Sequence, residues 1–184
     1  RRVLFRSLLA DDYSMQDRMM IRGTVRTGDG KECRKRALND IVISRAGFSR
    51  LIGLDVYVNG SFLNAYEGDG IIISTPTGST GYNLSAGGPI VDPMARLMII
   101  TPVCPHSLTS KSIVLPSDAK VSIEIAKKRK TQDTEAIVSF DGGNDFELAA
   151  GDVLDICVSQ RTTQLVKASD VNFYEILRNK LGGK

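Results

Sequence analysis

Apolar and polar residues alternate along most of the chain, from Met19 to about Val166. The segment 120–125 reads Lys-Val-Ser-Ile-Glu-Ile, which places its apolar side chains on one face of a half-buried antiparallel strand. Asn59-Gly60 between two such runs is a strong hairpin signal, because both residues tolerate a positive φ. Further strands are predicted near residues 19–26, 37–45, 71–73, 97–101, 112–116, 136–140, 146–149, 153–159 and 163–168. So many short, closely spaced strands predict a mainly β fold, a multi-stranded β-sandwich.

The last part of the chain changes to helical spacing. Four apolar residues share one helical face: Phe173, Ile176, Leu177 and Leu181. Asn172 followed by Glu175 resembles a capping box, and Gly182 with Gly183 supplies a stop signal. We therefore predict one amphipathic helix here, whose apolar face must pack against another surface.

Composition and charge indicate a globular protein and argue against a nucleic-acid partner. The 184 residues are 42% hydrophobic and 24% charged, which is typical of one globular domain with a substantial core. Lys and Arg number 24 against 21 Asp and Glu, for a formal net charge of +3. That charge is too small and too dispersed to indicate a nucleic-acid partner. The basic run 127–130 is interpreted as a solvated hairpin tip.

Cysteine content and the start of the chain indicate the compartment. Cys33, Cys104 and Cys157 are odd in number and lack a zinc-ligand spacing, so a reducing compartment fits best. No secretory leader or apolar run of roughly 18 residues is present, and we expect a cytoplasmic protein without a membrane partner.

The chain lacks an initiator Met. We expect residues 1–11 to be non-native sequence or a linker remnant.

The segment 68–89 has the composition of a binding loop. An apolar run at 71–73 predicts a buried strand that leads into glycines, hydroxyl residues and one aromatic residue. Glycines let backbone N–H groups approach a ligand, and hydroxyls suit ribose and phosphate oxygens. Ser79 or Thr80 is predicted to cap a short helix through Ser85. Composition alone is equally compatible with a surface turn.

The order of residues in this segment is more specific than its composition. Gly-Asp-Gly, a strand, Thr-Pro-Thr-Gly-Ser-Thr-Gly-Tyr and Leu-Ser-Ala-Gly-Gly-Pro-Ile together resemble the signature of the NAD kinases, which convert NAD to NADP. The segment 37–40, Ala-Leu-Asn-Asp, resembles another motif of this family. The resemblance covers nearly all of residues 12–181. It implies the family's C-terminal, NAD-binding β-sandwich domain over residues 12–168.

The resemblance also implies what the chain lacks. The family's Gly-Gly-Asp-Gly motif, whose Asp is the proposed base for the ribose hydroxyl, belongs to an N-terminal α/β domain. That motif does not occur in these 184 residues. We therefore expect no catalytic residue and no metal ligand in this chain, and we expect the isolated chain to be inactive. Residues 169–184 would form a helix that packs on the N-terminal domain, or one that lies against the sandwich.

Three polar residues are candidate NAD-binding residues by resemblance. The amide of Asn39 both donates and accepts, and the carboxylate of Asp40 can accept from ribose hydroxyls. Asp69, which lies between two glycines, could accept from a ribose or from the nicotinamide amide. The alternative for Asn39 and Asp40 is a turn or bulge within a strand. The alternative for Asp69 is an Asp-Gly turn before a strand.

The loop is expected to supply the wall of the NAD site. By resemblance its substrate-binding residues are Thr80, Gly81, Tyr82, Asn83, Leu84 and Ser85, with support from Thr75, Thr77, Gly78 and Ser79. Tyr82 is suited to stack on a ring, and many family members have Ala in place of Gly81. Cys104 matches a pocket-lining position. Arg50 matches a weakly patterned contact position, and its alternative is a solvated strand residue.

One departure from the family pattern concerns residues 141–143. Asp141-Gly142-Gly143 resembles the family's Asp-Gly-Gln turn, but Gly143 replaces a Gln that often touches the substrate. The resemblance therefore does not extend to that contact with substrate. We interpret these three residues as a hairpin turn.

The resemblance implies phosphoryl transfer from ATP or polyphosphate to the 2′-hydroxyl of the adenosine ribose of NAD, with a divalent metal such as Mg²⁺. It also implies self-association into a homodimer or homotetramer. Two other functions are compatible with such a sandwich. One is a non-catalytic nucleotide-binding or interaction module. The other is a lipid kinase of the related diacylglycerol and sphingosine kinase group, although a polar loop suits a dinucleotide better than an acyl chain.

Overall fold

The computed structural model describes residues 2–46, 51–107, 109–126, 136–168 and 171–182. Arg50 and the basic run 127–130 lie outside the described residues. Along the described chain the strands are β1 (Ser14–Arg18), β2 (Ile21–Arg26), β3 (Glu32–Ala37), β4 (Asp40–Arg45), β5 (Ile52–Val58), β6 (Ser61–Gly68), β7 (Gly70–Ser74), β8 (Leu97–Val103), β9 (Ile113–Pro116), β10 (Val121–Ile125), β11 (Ala136–Phe140), β12 (Gly143–Leu148), β13 (Val153–Val158) and β14 (Thr163–Lys167). The helices are α1 (Arg2–Leu9), α2 (Tyr82–Ser85) and α3 (Phe173–Leu181), and a 3₁₀ turn spans Thr77–Thr80.

The predicted mainly β fold is confirmed, and its strands pair antiparallel. The first six-stranded sheet has the order β3-β2-β13-β10-β5-β6, and the second has the order β12-β11-β4-β7-β8-β9. A separate two-stranded sheet joins β1 to β14. Strand β3 belongs to the first sheet and β4 to the second, so the chain changes sheets between Ala37 and Asp40.

The hydrophobic core lies between the two large sheets. The first sheet contributes buried residues such as Leu54, Ile123 and Ile156, and the second contributes Ile43 and Ile73, all in one cluster. Strand β7 is buried along its whole length, because β4 and β8 flank it and both α2 and the Thr77–Thr80 turn contact it. The binding-loop segment therefore starts from the most deeply buried strand of the second sheet.

The structure confirms one predicted hairpin and divides one predicted strand into two. The hairpin at Asn59-Gly60 is confirmed, with φ of 51° and 80° at the two residues. The strand predicted over 37–45 is two strands, β3 and β4, with residues 38 and 39 between them. Helix α1 and strand β1 were not predicted.

The predicted terminal helix is confirmed as α3. The side chain of Asn172 caps it by accepting a hydrogen bond of 2.8 Å from the backbone N–H of Glu175. Outside the cap, Tyr174 donates from its hydroxyl to the Asp92 carboxylate at 2.9 Å, which ties the helix to the loop before β8. Ile176 and Leu181 stay exposed. No helix in the described part of the chain is long and apolar enough to cross a membrane.

Gly70, the first residue of β7, tests how tightly the second sheet is packed. A Cβ on Gly70 would lie 2.2 Å from the carbonyl oxygen of Ile43 on the neighbouring strand. The added Cβ would meet backbone atoms that are fixed by strand pairing. Gly70→Ala is therefore expected to destabilise the protein by about 3 kcal/mol or more. Urea unfolding measures this loss.

Gly28 provides the matched control for that substitution. A Cβ there would meet only the Asp152 carboxylate at 3.9 Å, an ordinary contact. Gly28→Ala is expected to change the free energy of unfolding by no more than about 0.5 kcal/mol. Equal effects at the two positions would show that the close approach of β7 to β4 is not a constraint.

Candidate functional site

A cleft of about 570 Å³ joins three segments that are far apart in sequence. They are β4 with the residue before it, the middle of the binding loop, and the end of β11 with the turn that follows it. Its lining residues are Asn39, Asp40, Val42, Ser44, Thr77, Thr80, Gly81, Tyr82, Ser139, Asp141 and Gly142. The cleft thus brings together Asn39 and Asp40 with the predicted wall residues Thr80, Gly81 and Tyr82.

Residues 38–40, which we call the corner segment, bind the carboxylate of Asp141. The backbone N–H groups of Leu38 and Asn39 donate to this carboxylate at 2.8 and 2.7 Å, and that of Asp40 donates at 3.2 Å. The hairpin predicted at residues 141–143 is confirmed, with φ of 51° at Asp141 and 82° at Gly142. The turn therefore has a second role, because its carboxylate holds the point where the chain changes sheets.

The binding loop is fixed to the corner segment by Thr75. Its backbone N–H donates to the carbonyl oxygen of Asn39 at 2.8 Å, and its hydroxyl donates to the carbonyl of Leu38. The same hydroxyl accepts from the N–H of Gly78 at 3.1 Å. Gly78 lies so close that a Cβ would stand 2.1 Å from the Asn39 carbonyl oxygen. The 3₁₀ turn therefore abuts the corner segment without room for a side chain.

Asp40 is the buried charged group of the cleft. The residue is only 7% exposed, and burial, followed by repulsion from Asp141, raises the pKa of its carboxyl to about 6. Asn39 is exposed, and no hydrogen bond from its side-chain amide is formed within the described ranges. Both side chains are thus available to a ligand in the cleft.

The opposite wall consists of the 3₁₀ turn and α2. The predicted cap of α2 by Ser79 or Thr80 is wrong, because α2 follows Gly81 and has no side-chain cap. The Ser79 hydroxyl instead donates to the carbonyl of Pro76 at 2.7 Å and accepts from the N–H of Val91 at 3.1 Å. It closes the loop on itself, and the exposed Tyr82 ring follows at the rim.

All of the predicted wall residues except Asn83 are exposed, whereas the predicted supporting residues are buried or half-buried. Thr80, Gly81, Tyr82, Leu84 and Ser85 are exposed, whereas Thr75, Gly78 and Ser79 are buried and Thr77 is half-buried. Asn83 is fully buried. Its amide donates to the carbonyls of Ser79 at 3.1 Å and Pro89 at 3.0 Å and accepts from Thr101 at 2.7 Å. This side chain holds the wall from behind.

A second cleft of about 550 Å³ lies on the other side of Tyr82. Cys104 lines it together with Ser85, Lys111 and Ser112. Tyr82 lines both clefts, so the structure brings Cys104 near the predicted wall but not into the cleft of Asn39 and Asp40. Cys104 is exposed, with φ of 44°.

Asp69 lies apart from these two clefts, as far as the described lining residues define them. Its carboxylate accepts from the Arg45 guanidinium at 2.8 Å, and its N–H donates to the carbonyl of Val103 at 3.0 Å. Asp69 therefore joins the ends of β4, β7 and β8. Its predicted role as a ligand acceptor stays a prediction.

Five lining residues were missed as site residues by the sequence analysis, and two of them, Asp141 and Gly142, were interpreted only as a hairpin turn. Val42 and Ser44 share the face of Asp40 along β4, and alternation from Asp40 was a signal that could have found them. Ser139 lines the cleft from β11, which pairs with β4 at Val42. No local signal in the sequence identifies a partner about one hundred residues away.

Known proteins are similar to this chain in sequence and fold. The family model of the ATP-NAD kinase C-terminal domain matches residues 38–168. An NAD kinase from Lachnoclostridium phytofermentans is 48% identical over 182 residues, which cover 98% of this chain and 64% of that protein. Yeast NADH kinase, solved in complex with NADH, gives a TM-score of 0.91 at 26% identity, with coverage of 98% of this chain and 54% of the other.

A third relative was solved with a different nucleotide. The NAD kinase from Archaeoglobus fulgidus in complex with ATP gives a TM-score of 0.72 at 26% identity, covering 98% of this chain and 64% of that chain. This chain therefore spans less than two thirds of the length of the relatives described here.

The raised pKa of Asp40 makes a stability prediction. From its ordinary value of 3.8, the pKa of this carboxyl rises to about 6 on folding, so stability falls as pH rises between these values and the cost is complete above about pH 6. Asp40→Asn removes the charge. We expect the variant to be more stable than the unmodified protein by on the order of 2 kcal/mol at about pH 8.

The pH dependence of that gain is its control. Below the ordinary value of 3.8 the carboxyl is protonated in both the folded and unfolded chain, so the gain should shrink toward zero at about pH 3. Urea unfolding of both proteins at the two pH values measures it. A gain of equal size at both would show that the charge of Asp40 costs nothing in the folded protein.

Proposed function

Since the chain belongs to the NAD kinase family, we propose that the protein carrying it phosphorylates NAD, and that this domain holds the NAD. The 2′-hydroxyl oxygen of the adenosine ribose forms a bond to the terminal phosphorus of ATP. The bond from that phosphorus to ADP breaks, and the hydroxyl proton is released. The observation that carries the proposal is the cleft in which Asn39 and Asp40 face Thr80, Gly81 and Tyr82.

The chemistry of the cleft suits a nucleoside. An ionised Asp40 accepts hydrogen bonds from ribose hydroxyls, and the free amide of Asn39 donates and accepts as a base or ribose requires. The exposed ring of Tyr82 offers a stacking face at the rim. Since the pKa of Asp40 is about 6, its carboxylate is ionised at neutral pH.

We propose ATP as the phosphoryl donor, with polyphosphate as the alternative, and Mg²⁺ as the divalent metal. The Archaeoglobus fulgidus relative was solved with ATP, which supports the first choice. Within the described ranges no group of three or more His, Cys, Asp and Glu side chains could hold a metal ion. The described residues therefore do not fit a metal site, and no step of the proposal depends on one here.

A lipid kinase and a non-catalytic module are less well supported. Asn39, Asp40, Thr77 and Thr80 make the cleft polar, and such groups recognise hydroxyls and amides rather than an acyl chain. Formation of NADP separates an enzyme from a module. Phosphorylation of diacylglycerol without phosphorylation of NAD would favour the lipid kinase.

We also propose a cytoplasmic homodimer or homotetramer. Cys33, Cys104 and Cys157 are free in the structure, which is typical of a reducing compartment. Self-association rests on the family resemblance. Sedimentation of the full-length protein measures it.

The full-length protein is expected to form NADP when it is supplied with NAD, ATP and Mg²⁺. Substitutions at Gly81 test whether NAD lies against the binding loop. A Cβ at Gly81 would approach only the Gly78 carbonyl oxygen, at 3.3 Å, so Gly81→Ala should remain active. Gly81→Val places two more methyl groups on the cleft wall. We expect its NAD affinity, measured by calorimetry, to fall about tenfold or more.

Folding is the control for both Gly81 variants. Thermal unfolding should show that Gly81→Val stays folded, because Gly81 is exposed. NAD binding by folded Gly81→Val at the affinity of the unmodified protein would contradict the assignment of the wall. If the unmodified full-length protein formed no NADP, the proposed reaction itself would be contradicted.

A further inference from the structure

Asp141 makes contacts that a simple hairpin turn does not need. A two-residue turn of this kind requires positive φ, which Asp141 and Gly142 supply, but it requires no carboxylate. The Asp141 carboxylate nevertheless receives three backbone N–H groups from a segment 101 to 103 residues earlier in the chain. Its own N–H donates back to the Asp40 carbonyl at 3.0 Å.

We propose that Asp141 is a positioning residue for NAD, whose carboxylate holds Asn39 and Asp40 in place against the Thr77–Thr80 turn. The inference rests on the proposed function. It assigns to Asp141 a role that acts through the corner segment, while Asn39 and Asp40 make the contacts with the nucleoside.

The geometry of the corner segment explains why a hydrogen-bond acceptor is required there. Strand β3 pairs with β2 in the first sheet and β4 pairs with β7 and β11 in the second. The N–H groups of Leu38 and Asn39 fall between these strands and need another acceptor. A carboxylate offers about four lone-pair positions. One side chain therefore satisfies three consecutive donors and fixes the backbone that carries Asn39 and Asp40.

The same charge acts on the ionisation of Asp40. The titratable groups of the described cleft wall are Asp40, Asp141 and Tyr82; Asp141 approaches from the turn after β11, and β7 places the neutral Ser74 opposite Asp40. After burial, repulsion from Asp141 is the second cause that raises the pKa of Asp40. Loss of the charge at position 141 should therefore lower the pKa of Asp40.

Asp152 is a matched control elsewhere in the fold. Its carboxylate also accepts two backbone N–H groups, from Gly28 and Ala149, both at 2.8 Å. It lines neither cleft beside Tyr82, as far as their described residues go. Asp152→Asn thus makes the same chemical change to a backbone-binding carboxylate away from the proposed NAD site.

The experiment compares the two variants in the full-length protein by steady-state kinetics across the acid range. We expect Asp141→Asn to raise the KM for NAD by about tenfold or more while kcat changes less, because an anionic acceptor of three N–H groups is lost. The acid limb of kcat/KM for NAD should move to lower pH, because Asp40 then ionises more easily. Asp152→Asn should lose stability but keep the KM and the acid limb.

Asp141→Glu separates position from charge and serves if Asp141→Asn does not fold. It keeps the charge but displaces the carboxylate by one methylene, so the KM for NAD should rise with a smaller shift of the acid limb. A folded Asp141 variant with the KM and pH profile of the unmodified protein would overturn the inference. Failure of the unmodified protein to convert NAD would instead overturn the proposed function, and this inference with it.

Discussion

The carboxylate of Asp141 at the corner between the two sheets is the constraint on which the site depends. It receives the N–H groups of Leu38, Asn39 and Asp40, and the carbonyls of the same segment receive the N–H and hydroxyl of Thr75. One three-residue segment is thus held from both sides. The cleft forms because the β11–β12 turn and the residue after β7 both bind this segment.

This arrangement lowers the stability of the folded protein. Asp40 is buried beside a second carboxylate, and its raised pKa records the free energy that the folded protein loses by keeping it ionised. Such a cost is typical of functional sites. The loop opposite is stabilised differently, because the buried amide of Asn83 uses its hydrogen bonds within the protein. A wall held by internal hydrogen bonds therefore faces an ionised acceptor.

Local patterns predicted most of the strands, the Asn59-Gly60 hairpin and the Asn172 cap, because alternation and capping act over a few residues. The merged prediction over 37–45 failed for the opposite reason. The break at residues 38 and 39 is stabilised by Asp141, and no local signal shows a partner so distant in sequence. Family motifs predicted Asn39, Asp40 and Tyr82 as binding residues, and the fold places them in one cleft. Only the fold shows that Asn83 is buried and that Asp141 lines the cleft.

The most direct test of this account is a double-mutant cycle on NAD binding between Asp141→Asn and Thr75→Val. Thr75 is fully buried, so it can affect NAD only through the corner segment and the turn. Calorimetry on the full-length protein should show that each variant weakens NAD binding and that the pair is coupled by about 1 kcal/mol or more. Unchanged binding by folded Thr75→Val, or effects additive within about 0.3 kcal/mol, would contradict the account.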